Sequence, residues 1–165
     1  VLFRSNGEFD TIYHEHISYY NALSMKTLAE RAGLYLIDVV KTPIHGTSYI
    51  FILAKQPRNS RRIENILAME NDLHKDATYQ AWASGVKTLL GNLKDQLDDF
   101  RGFGYRVVGY GAAAKGMTLI NASGIHLDCV VDDNPLKQGL YCPGTAIPVV
   151  SADYIRDMAD TDTVV

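Results

Sequence analysis

This chain of 165 residues is long enough for one ordinary hydrophobic core, and its composition is that of a folded protein. Hydrophobic residues make up 47% and charged residues 21%, and no apolar run approaches the roughly 20 residues that span a bilayer. The net charge of -3 provides no basic field for a nucleic-acid backbone. We therefore expect a cytoplasmic α/β enzyme that binds neither membranes nor nucleic acid.

The cysteines and the chain ends add two expectations. Cys129 and Cys142 stand apart without a C-x-x-C spacing, which predicts free thiols in a reducing compartment. The chain starts at Val1 without an initiating Met, and it ends in Thr163-Val164-Val165, which is typical of a buried strand that stops before it has a partner. These features predict a fragment with both ends cut.

The first third predicts a helix followed by a β-hairpin. Ser24 is a suitable N-cap for a helix over 25–32, and Gly33 follows where a left-handed residue commonly ends a helix. Residues 34–41 and 48–54 are rich in β-branched and aromatic side chains. The polar turn between these two segments predicts that they pair antiparallel.

The middle of the chain predicts helices. Ser60 is expected to cap the first helix, whose apolar residues lie on one face. From Trp82 to Phe100, apolar residues recur at steps of three and four, a pattern that is typical of an amphipathic helix and that packing alone explains. This part of the chain is therefore predicted to connect two partial α/β units.

The last third predicts a strand that enters a glycine turn and continues into a helix. Residues 106–116 contain G-x-G-x-x-A, in which Gly109 permits a tight turn and Gly111 lets backbone N–H groups approach a pyrophosphate. A second apolar strand, 127–131, leads into Asp132, about twenty residues after the turn, where a ribose-binding acid is expected. This context favours nucleotide binding over a turn that serves only packing.

Three more polar residues are predicted to contact a nucleotide. Lys115 falls in the first turn of the helix after the glycines, where a cation is unfavourable unless an anion lies beside it. A solvated lysine is the alternative. Asn134 and Lys137 belong to a polar loop at the carboxyl end of a strand, where open α/β sheets bind ligands, although Asn-Pro also starts ordinary turns.

Residues 13–20, Tyr-His-Glu-His-Ile-Ser-Tyr-Tyr, form a dense cluster of side chains that handle protons. The zinc motif H-E-x-x-H fails because Ser18 stands where its second histidine belongs, and a site on His14 and His16 has no evident third ligand. Acid–base chemistry fits better, because imidazole titrates near neutral pH and a nearby carboxylate can fix its tautomer. Surface imidazoles near a helix start are the structural alternative, and no metal site is predicted.

Taken together, several blocks resemble the S-adenosylmethionine-dependent sugar C-methyltransferases. The blocks are residues 13–20, His45-Gly46, residues 109–116 and residues 132–139. The resemblance runs from about Phe9 to the C-terminus, and it is specific because separate blocks occur in the right order. Members of this family have an N-terminal zinc-binding domain, a class I methyltransferase domain and a C-terminal Rossmann-like domain that helps to bind the nucleotide-sugar.

The resemblance implies an α/β fold in three parts. Residues 1–56 are expected to form the C-terminal edge of a class I methyltransferase sheet, and residues 57–104 a helical linker. Residues 105–165 are expected to form a truncated Rossmann-like parallel βαβ domain that binds the nucleotide-sugar. The resemblance also implies S-adenosylmethionine as the cofactor, bound mostly in a missing upstream region. Zinc would belong to the missing N-terminal domain of the family, with none in this chain.

The resemblance further implies a reaction in which a methyl group moves to the carbon beside the ketone of a nucleotide-diphosphate keto-sugar. His16 would remove the proton from that carbon, with Tyr13 and Glu15 around it. We expect this chain to be inactive alone, because the loop that holds the cofactor would lie upstream. The residues expected to bind the nucleotide-sugar are Gly109, Gly111, Lys115, Asp132, Asn134 and Lys137.

Two other classes of protein remain as alternatives. An NAD-dependent oxidoreductase would explain the glycine turn and the acid after the second strand, but it leaves residues 13–20 without a role. A non-catalytic nucleotide-binding module would make His16 structural.

Overall fold

A computed structural model describes residues 7–43, 48–157 and 163–165 of the chain. The chain divides into two compact units: unit 1 comprises residues 1–9 and 15–84, and unit 2 comprises residues 10–14 and 85–165. The fold is mixed α/β, as predicted, and it includes a parallel sheet. Among the described residues, no helix is both long enough and apolar enough to cross a membrane.

Unit 1 is built on the predicted antiparallel hairpin. Its elements in chain order are helix α1 (Ala22–Arg31), strands β1 (Tyr35–Thr42) and β2 (Ser48–Ala54), and helix α2 (Arg61–Met69). Both helices cover the hairpin with their apolar faces, as the 3.6-residue period requires. The buried cluster that results consists of Ala22, Leu36, Val39, Ile63 and Ile66.

The start of α1 differs from the prediction. Asn21, not Ser24, is the N-cap, and its side-chain oxygen accepts a hydrogen bond from the Ser24 N–H at 2.7 Å. The Ser24 hydroxyl oxygen in turn accepts from the Asn21 N–H at 2.9 Å. This reciprocal pair is a capping box, so Ser24 serves the cap from inside the helix. The prediction was correct for Gly33, which is left-handed with φ +71°, and for Ser60, which caps α2.

Unit 2 contains a four-stranded parallel sheet. A long helix, α3 (Asp76–Gly102), begins in unit 1 and leads to it. The strand order is β5-β4-β3-β6, with all neighbours parallel. The elements after α3 are β3 (Arg106–Tyr110), α4 (Ala114–Ser123), β4 (Cys129–Val131), β5 (Val149–Val150), α5 (Asp153–Asp157) and β6 (Thr163–Val164).

The prediction that the last strand lacks a partner is wrong. Strand β6 pairs in parallel with β3, in a register that places Thr163 opposite Arg106 and Val164 opposite Val107. A crossover connection brings the end of the chain back beside the first strand of the unit, and such a return cannot be read from a short apolar run.

The sheet of unit 2 is buried on both faces, because successive residues of a strand point to opposite sides. Val107 and Val130 belong to the core beneath α4, whereas Val108 and Val131 belong to a second cluster on the other face. The near-continuous apolar runs of β3 and β4 follow from this double burial. Cys129 and Cys142 are free, as predicted, and the structure shows that both are buried.

Candidate functional site

The glycine turn joins β3 to α4 and fixes the geometry of the candidate site. Gly109 lies inside β3 rather than in the tight turn that was predicted for it, and a Cβ atom there would lie 3.0 Å from Leu127 Cδ1 and 3.3 Å from Val130 Cγ2, so close packing favours glycine. Gly111 has φ +94°, which side-chain-bearing residues rarely adopt, and its N–H donates to the Val131 carbonyl at 2.6 Å. The turn is therefore tied to the adjacent strand β4.

Asp132, the acid predicted to meet a ribose, is directed back toward this turn. Its side chain accepts hydrogen bonds from the Ala112 N–H at 2.8 Å, from the Asn134 N–H at 2.9 Å and from Lys137 Nζ at 2.8 Å. The residue is only 8% exposed. The pKa of Asp132 is lowered, first by the hydrogen bond from Lys137 and then by the Asn134 N–H.

Lys137 and its neighbours complete this network. Lys137 Nζ also donates to the Ala112 carbonyl at 2.9 Å, and Gln138 Nε2 donates to the Asp132 carbonyl at 3.0 Å. The Asn134 side chain accepts from the Leu136 N–H at 3.0 Å, which forms an Asx turn. The structure thus brings Asp132, Asn134 and Lys137 together around the glycine turn, largely through contacts within the chain.

The N-terminus of α4 follows the turn without a side-chain cap. Ala113 is the N-cap residue and makes no side-chain hydrogen bond to the helix. The first hydrogen bond into the cap comes from the Met117 N–H to the Ala113 carbonyl at 3.0 Å. The N–H groups of residues 114–116 have no acceptor inside the helix, a geometry that favours an anion in front of them.

Lys115 has a partner within unit 2. Its Nζ lies 3.8 Å from Asp10 Oδ2, and both side chains are partly exposed. The separation exceeds hydrogen-bond length, so the attraction is that of a loose surface pair. A carboxylate of the chain therefore already offsets the lysine charge near the helix start, and the position of Lys115 does not by itself require a phosphate.

A cavity of about 800 Å³ lies within unit 2 beside α4. Two predicted site residues line it: Tyr13, which was expected near the proton transfer, and Lys137, which was expected to bind the nucleotide-sugar. Its wall is mostly apolar, with a few polar groups. The lining residues are Ile12, Tyr13, His14, Ala112, Ala114, Met117, Thr118, Asn121, Ala122, Lys137, Leu140, Tyr141, Cys142, Pro143 and Val149.

The predicted proton-transfer residues are divided between the two units. Tyr13 belongs to unit 2, where it is half-buried and its ring lies 6.4 Å from the His14 ring in an edge-to-face arrangement. Glu15 and His16 belong to unit 1, where both are exposed and the His16 ring lies 6.2 Å from the Tyr19 ring. His45 and Gly46, which contributed to the resemblance, lie outside the described residues.

Sequence reasoning missed several polar groups near the site. Thr118 and Asn121 line the cavity from one face of α4, and their spacing of three residues was a readable signal. The Tyr110 hydroxyl donates to Asp133 Oδ2 at 2.8 Å at the carboxyl ends of β3 and β4, a contact with no local signature. Within 7–43, 48–157 and 163–165, no cluster of three potential metal ligands occurs.

Comparison with known proteins identifies relatives of this chain. A family model described as the C-methyltransferase C-terminal domain matches residues 43–165. The C-methyltransferase NovU of Streptomyces niveus is 31% identical over 156 residues, an alignment that covers 90% of this chain and 37% of NovU. The chain thus spans well under half the length of this relative.

Proposed function

We propose that this chain, which belongs to the C-methyltransferase family, serves the S-adenosylmethionine-dependent C-methylation of a nucleotide-diphosphate keto-sugar. The family match covers the C-terminal domain, over residues 43–165. The main support for a nucleotide-sugar as the methyl acceptor is the cavity of unit 2. Tyr13 and Lys137 both line this cavity, which lies beside the uncapped start of α4. Family membership supports methyl transfer in general, and the cavity supports the class of acceptor.

The sheet of unit 2 supports a Rossmann-like arrangement. Numbered within the unit, its order is 3-2-1-4, which is the order of the first strands in a dinucleotide-binding fold. We propose that residues 105–165 are the nucleotide-sugar-binding domain, 57–104 a helical linker, and 1–56 the edge of a class I methyltransferase sheet. On this proposal the chain is a fragment, and the buried free thiols fit a cytoplasmic protein.

The ligand is expected to enter with its phosphates toward α4. The N–H groups of residues 114–116 and the ammonium of Lys115 would hold the diphosphate, in exchange for the loose contact of Lys115 with Asp10. The sugar would then occupy the apolar cavity, which Tyr13 and Asn121 border. Such a cavity, mostly apolar with a few placed polar groups, is typical of a small-molecule site.

We propose His16 as the general base of the reaction. Its imidazole would take the proton from the carbon beside the sugar ketone, and the electron pair left behind would form an enolate. Tyr13 and Glu15, which are close to His16 in the chain, are proposed to assist this step. S-adenosylmethionine, when bound, supplies the electrophilic methyl group, and we place its site mostly outside this chain because the glycine turn is assigned to the nucleotide-sugar.

A binding experiment tests the nucleotide assignment. Calorimetric titration of the chain with thymidine diphosphate should give measurable binding, and titration with NAD should give much weaker binding. Lys115→Ala should weaken the binding of thymidine diphosphate by about 1.5–3 kcal/mol, the usual contribution of a hydrogen bond to a charged group. Lys26→Ala is the control, because Lys26 pairs with Glu30 on the surface of unit 1. Preferential binding of NAD would support the oxidoreductase alternative.

A proton-exchange experiment tests the base. NMR should detect solvent deuterium entering the carbon beside the ketone of a thymidine-diphosphate keto-sugar, a step that needs no methyl donor. His16→Asn should slow this exchange by about two to four orders of magnitude. His14→Asn tests the neighbouring imidazole, and His74→Asn, which removes an exposed imidazole that does not line the cavity, is the control. A larger loss with His14→Asn would transfer the base to His14, and no exchange with the unaltered chain would favour the non-catalytic module.

A further inference from the structure

Asp132 occupies the position from which a nucleotide-binding fold usually presents an acid to the ribose, but in this chain its side chain is turned inward. Asp132 Oδ1 accepts from the Asn134 N–H, and Oδ2 accepts from both the Ala112 N–H and Lys137 Nζ. A carboxylate has about four acceptor positions, and three are used by neighbours in the chain while the residue stays 8% exposed. Little of this carboxylate is left for a ligand hydroxyl.

The same contacts fix both sides of one residue in the turn. Asp132 holds the N–H of Ala112, and Lys137 Nζ holds its carbonyl while also contacting Asp132 Oδ2 at 2.8 Å. The ion pair and the backbone of Ala112 therefore close into one hydrogen-bonded ring. Charge-assisted hydrogen bonds of this kind are stronger than neutral ones, which makes the ring a rigid feature.

The orientation of Ala112 matters because it lies between Gly111, whose φ is positive, and the start of α4. Gly111 has φ +94°, and the Ala113 N–H bonds back to the Gly111 carbonyl at 2.9 Å, so the turn reverses direction over very few residues. A change in the peptide of Ala112 would tilt the first N–H groups of α4. Any site that uses those groups depends on this geometry being set before the ligand arrives.

We propose that Asp132 and Lys137 are positioning residues: their ion pair locks the glycine turn in its binding shape, and they act on the ligand through the turn. The effect on affinity rests on the proposed nucleotide-sugar function, whereas the lock itself is a property of the chain without ligand.

The chain provides a matched control at the opposite end of β3. Asp128 Oδ2 accepts from the Val107 N–H at 2.8 Å and pairs with Arg101 at 3.3 Å, so it too clamps a backbone N–H with the help of a cation. This second clamp lies away from the glycine turn. Asp128→Asn should therefore disturb Val107 locally and leave ligand binding unchanged.

Amide hydrogen exchange on the ligand-free chain tests the lock. In both Asp132→Asn and Lys137→Met, the Ala112 N–H should exchange about tenfold faster than in the unaltered chain, which corresponds to about 1.4 kcal/mol of local protection. The Val107 N–H should keep its rate in these variants, whereas Asp128→Asn should reverse the pattern. Unchanged Ala112 exchange in Lys137→Met would overturn the proposal, and this variant decides the matter if Asp132→Asn fails to fold.

Affinity for thymidine diphosphate and for inorganic pyrophosphate separates positioning from direct contact. Under the proposal, each variant weakens both probes by about tenfold, and the double variant is hardly worse than either single one. If Lys137 instead bound phosphate directly, removing the negative charge of Asp132 would strengthen pyrophosphate binding. If Asp132 bound the ribose directly, Asp132→Asn would weaken thymidine diphosphate alone. Either of these results overturns the positioning role.

The two parts fail in different ways. If the unaltered chain binds neither probe, the proposed nucleotide function is wrong, and hydrogen exchange of the Ala112 N–H alone supports or overturns the lock.

Discussion

Each unit of the molecule contains a buried carboxylate that accepts a backbone N–H close to the start of a helix. In unit 1, Glu70 Oε2 accepts from the N–H of Ala22, the first residue of α1, at 2.8 Å. In unit 2, Asp132 accepts from Ala112, just before α4, at the same distance. The two carboxylates differ in their charge environment, because Asp132 has the ammonium of Lys137 beside it.

The pKa values of the two acids move in opposite directions for this reason. Burial raises the pKa of Glu70, and the N–H groups of residues 22 and 23 offset the effect only in part. Lys137 lowers the pKa of Asp132. Burial, followed by the charge of Glu70, also raises the pKa of Tyr49 on β2. The same hydrogen-bond geometry thus occurs with a carboxyl group whose pKa is raised and with one whose pKa is lowered.

The largest expected effect comes from removing the acid of unit 1. Glu70→Ala leaves the buried Ala22 N–H without its acceptor, which should lower the free energy of unfolding by about 1–3 kcal/mol. Urea unfolding followed by Trp82, the single tryptophan and a residue of unit 1, measures this change. Glu30→Ala, which removes only an exposed pair with Lys26, is the control. Equal losses in both variants would contradict the capping role.

A smaller effect is expected when Glu70 keeps its shape and loses its charge. A raised folded pKa means that this group stabilises the fold fully below its ordinary value of 4.5, and that the contribution is lost as pH rises through the folded pKa. The stability of Glu70→Gln should therefore differ most from that of the unaltered chain near neutral pH, where the variant should be relatively more stable. Urea midpoints across this range measure the difference, with exposed Glu64→Gln as control. A gain that grows toward acid would contradict the sign.

The acid of unit 2 should respond to pH in the opposite sense. A lowered folded pKa means that Asp132 stabilises the fold above its ordinary value of 3.8, and that this contribution is lost as pH falls through the folded pKa. Asp132→Asn should remove that part of the acid sensitivity of unit 2. Exchange of the Val108 N–H in the core of the sheet measures it between neutral and acidic pH. Identical acid profiles for both chains would contradict the role of the ion pair.

The smallest effect concerns an exposed neighbour, Asp133, which lies next to the buried acid but outside the lock. The hydrogen bond to Asp133 is the main cause of the raised pKa of Tyr110. Asp133→Asn should lower the pKa of Tyr110 toward its ordinary value of 10.0 without changing Ala112 exchange. Ultraviolet titration, with Tyr110→Phe to identify the signal, measures the shift. An unchanged pKa would show that the contact is not maintained in solution.

The sequence alone determined the elements whose causes are local. The glycine turn, the hairpin, the Gly33 helix end and the Ser60 cap all follow from backbone freedom, periodicity or capping between residues that are close in the chain. The resemblance that named the family depended on such contiguous blocks, and the match over residues 43–165 confirms it. The sequence did not decide between two possible N-cap residues close together in the chain: Asn21, not Ser24, caps α1.

The tertiary structure decided which way the acids point and which strands meet. Glu70 bonds to a residue 48 positions away, Asp132 to one 20 positions away, and β6 returns to pair with β3. A carboxylate at the end of a strand can face a ligand or the backbone with the same sequence around it. For Asp132 the choice depends on whether folding brings a buried N–H and a cation within hydrogen-bond distance, because burying a carboxylate is costly unless it is paired or hydrogen-bonded.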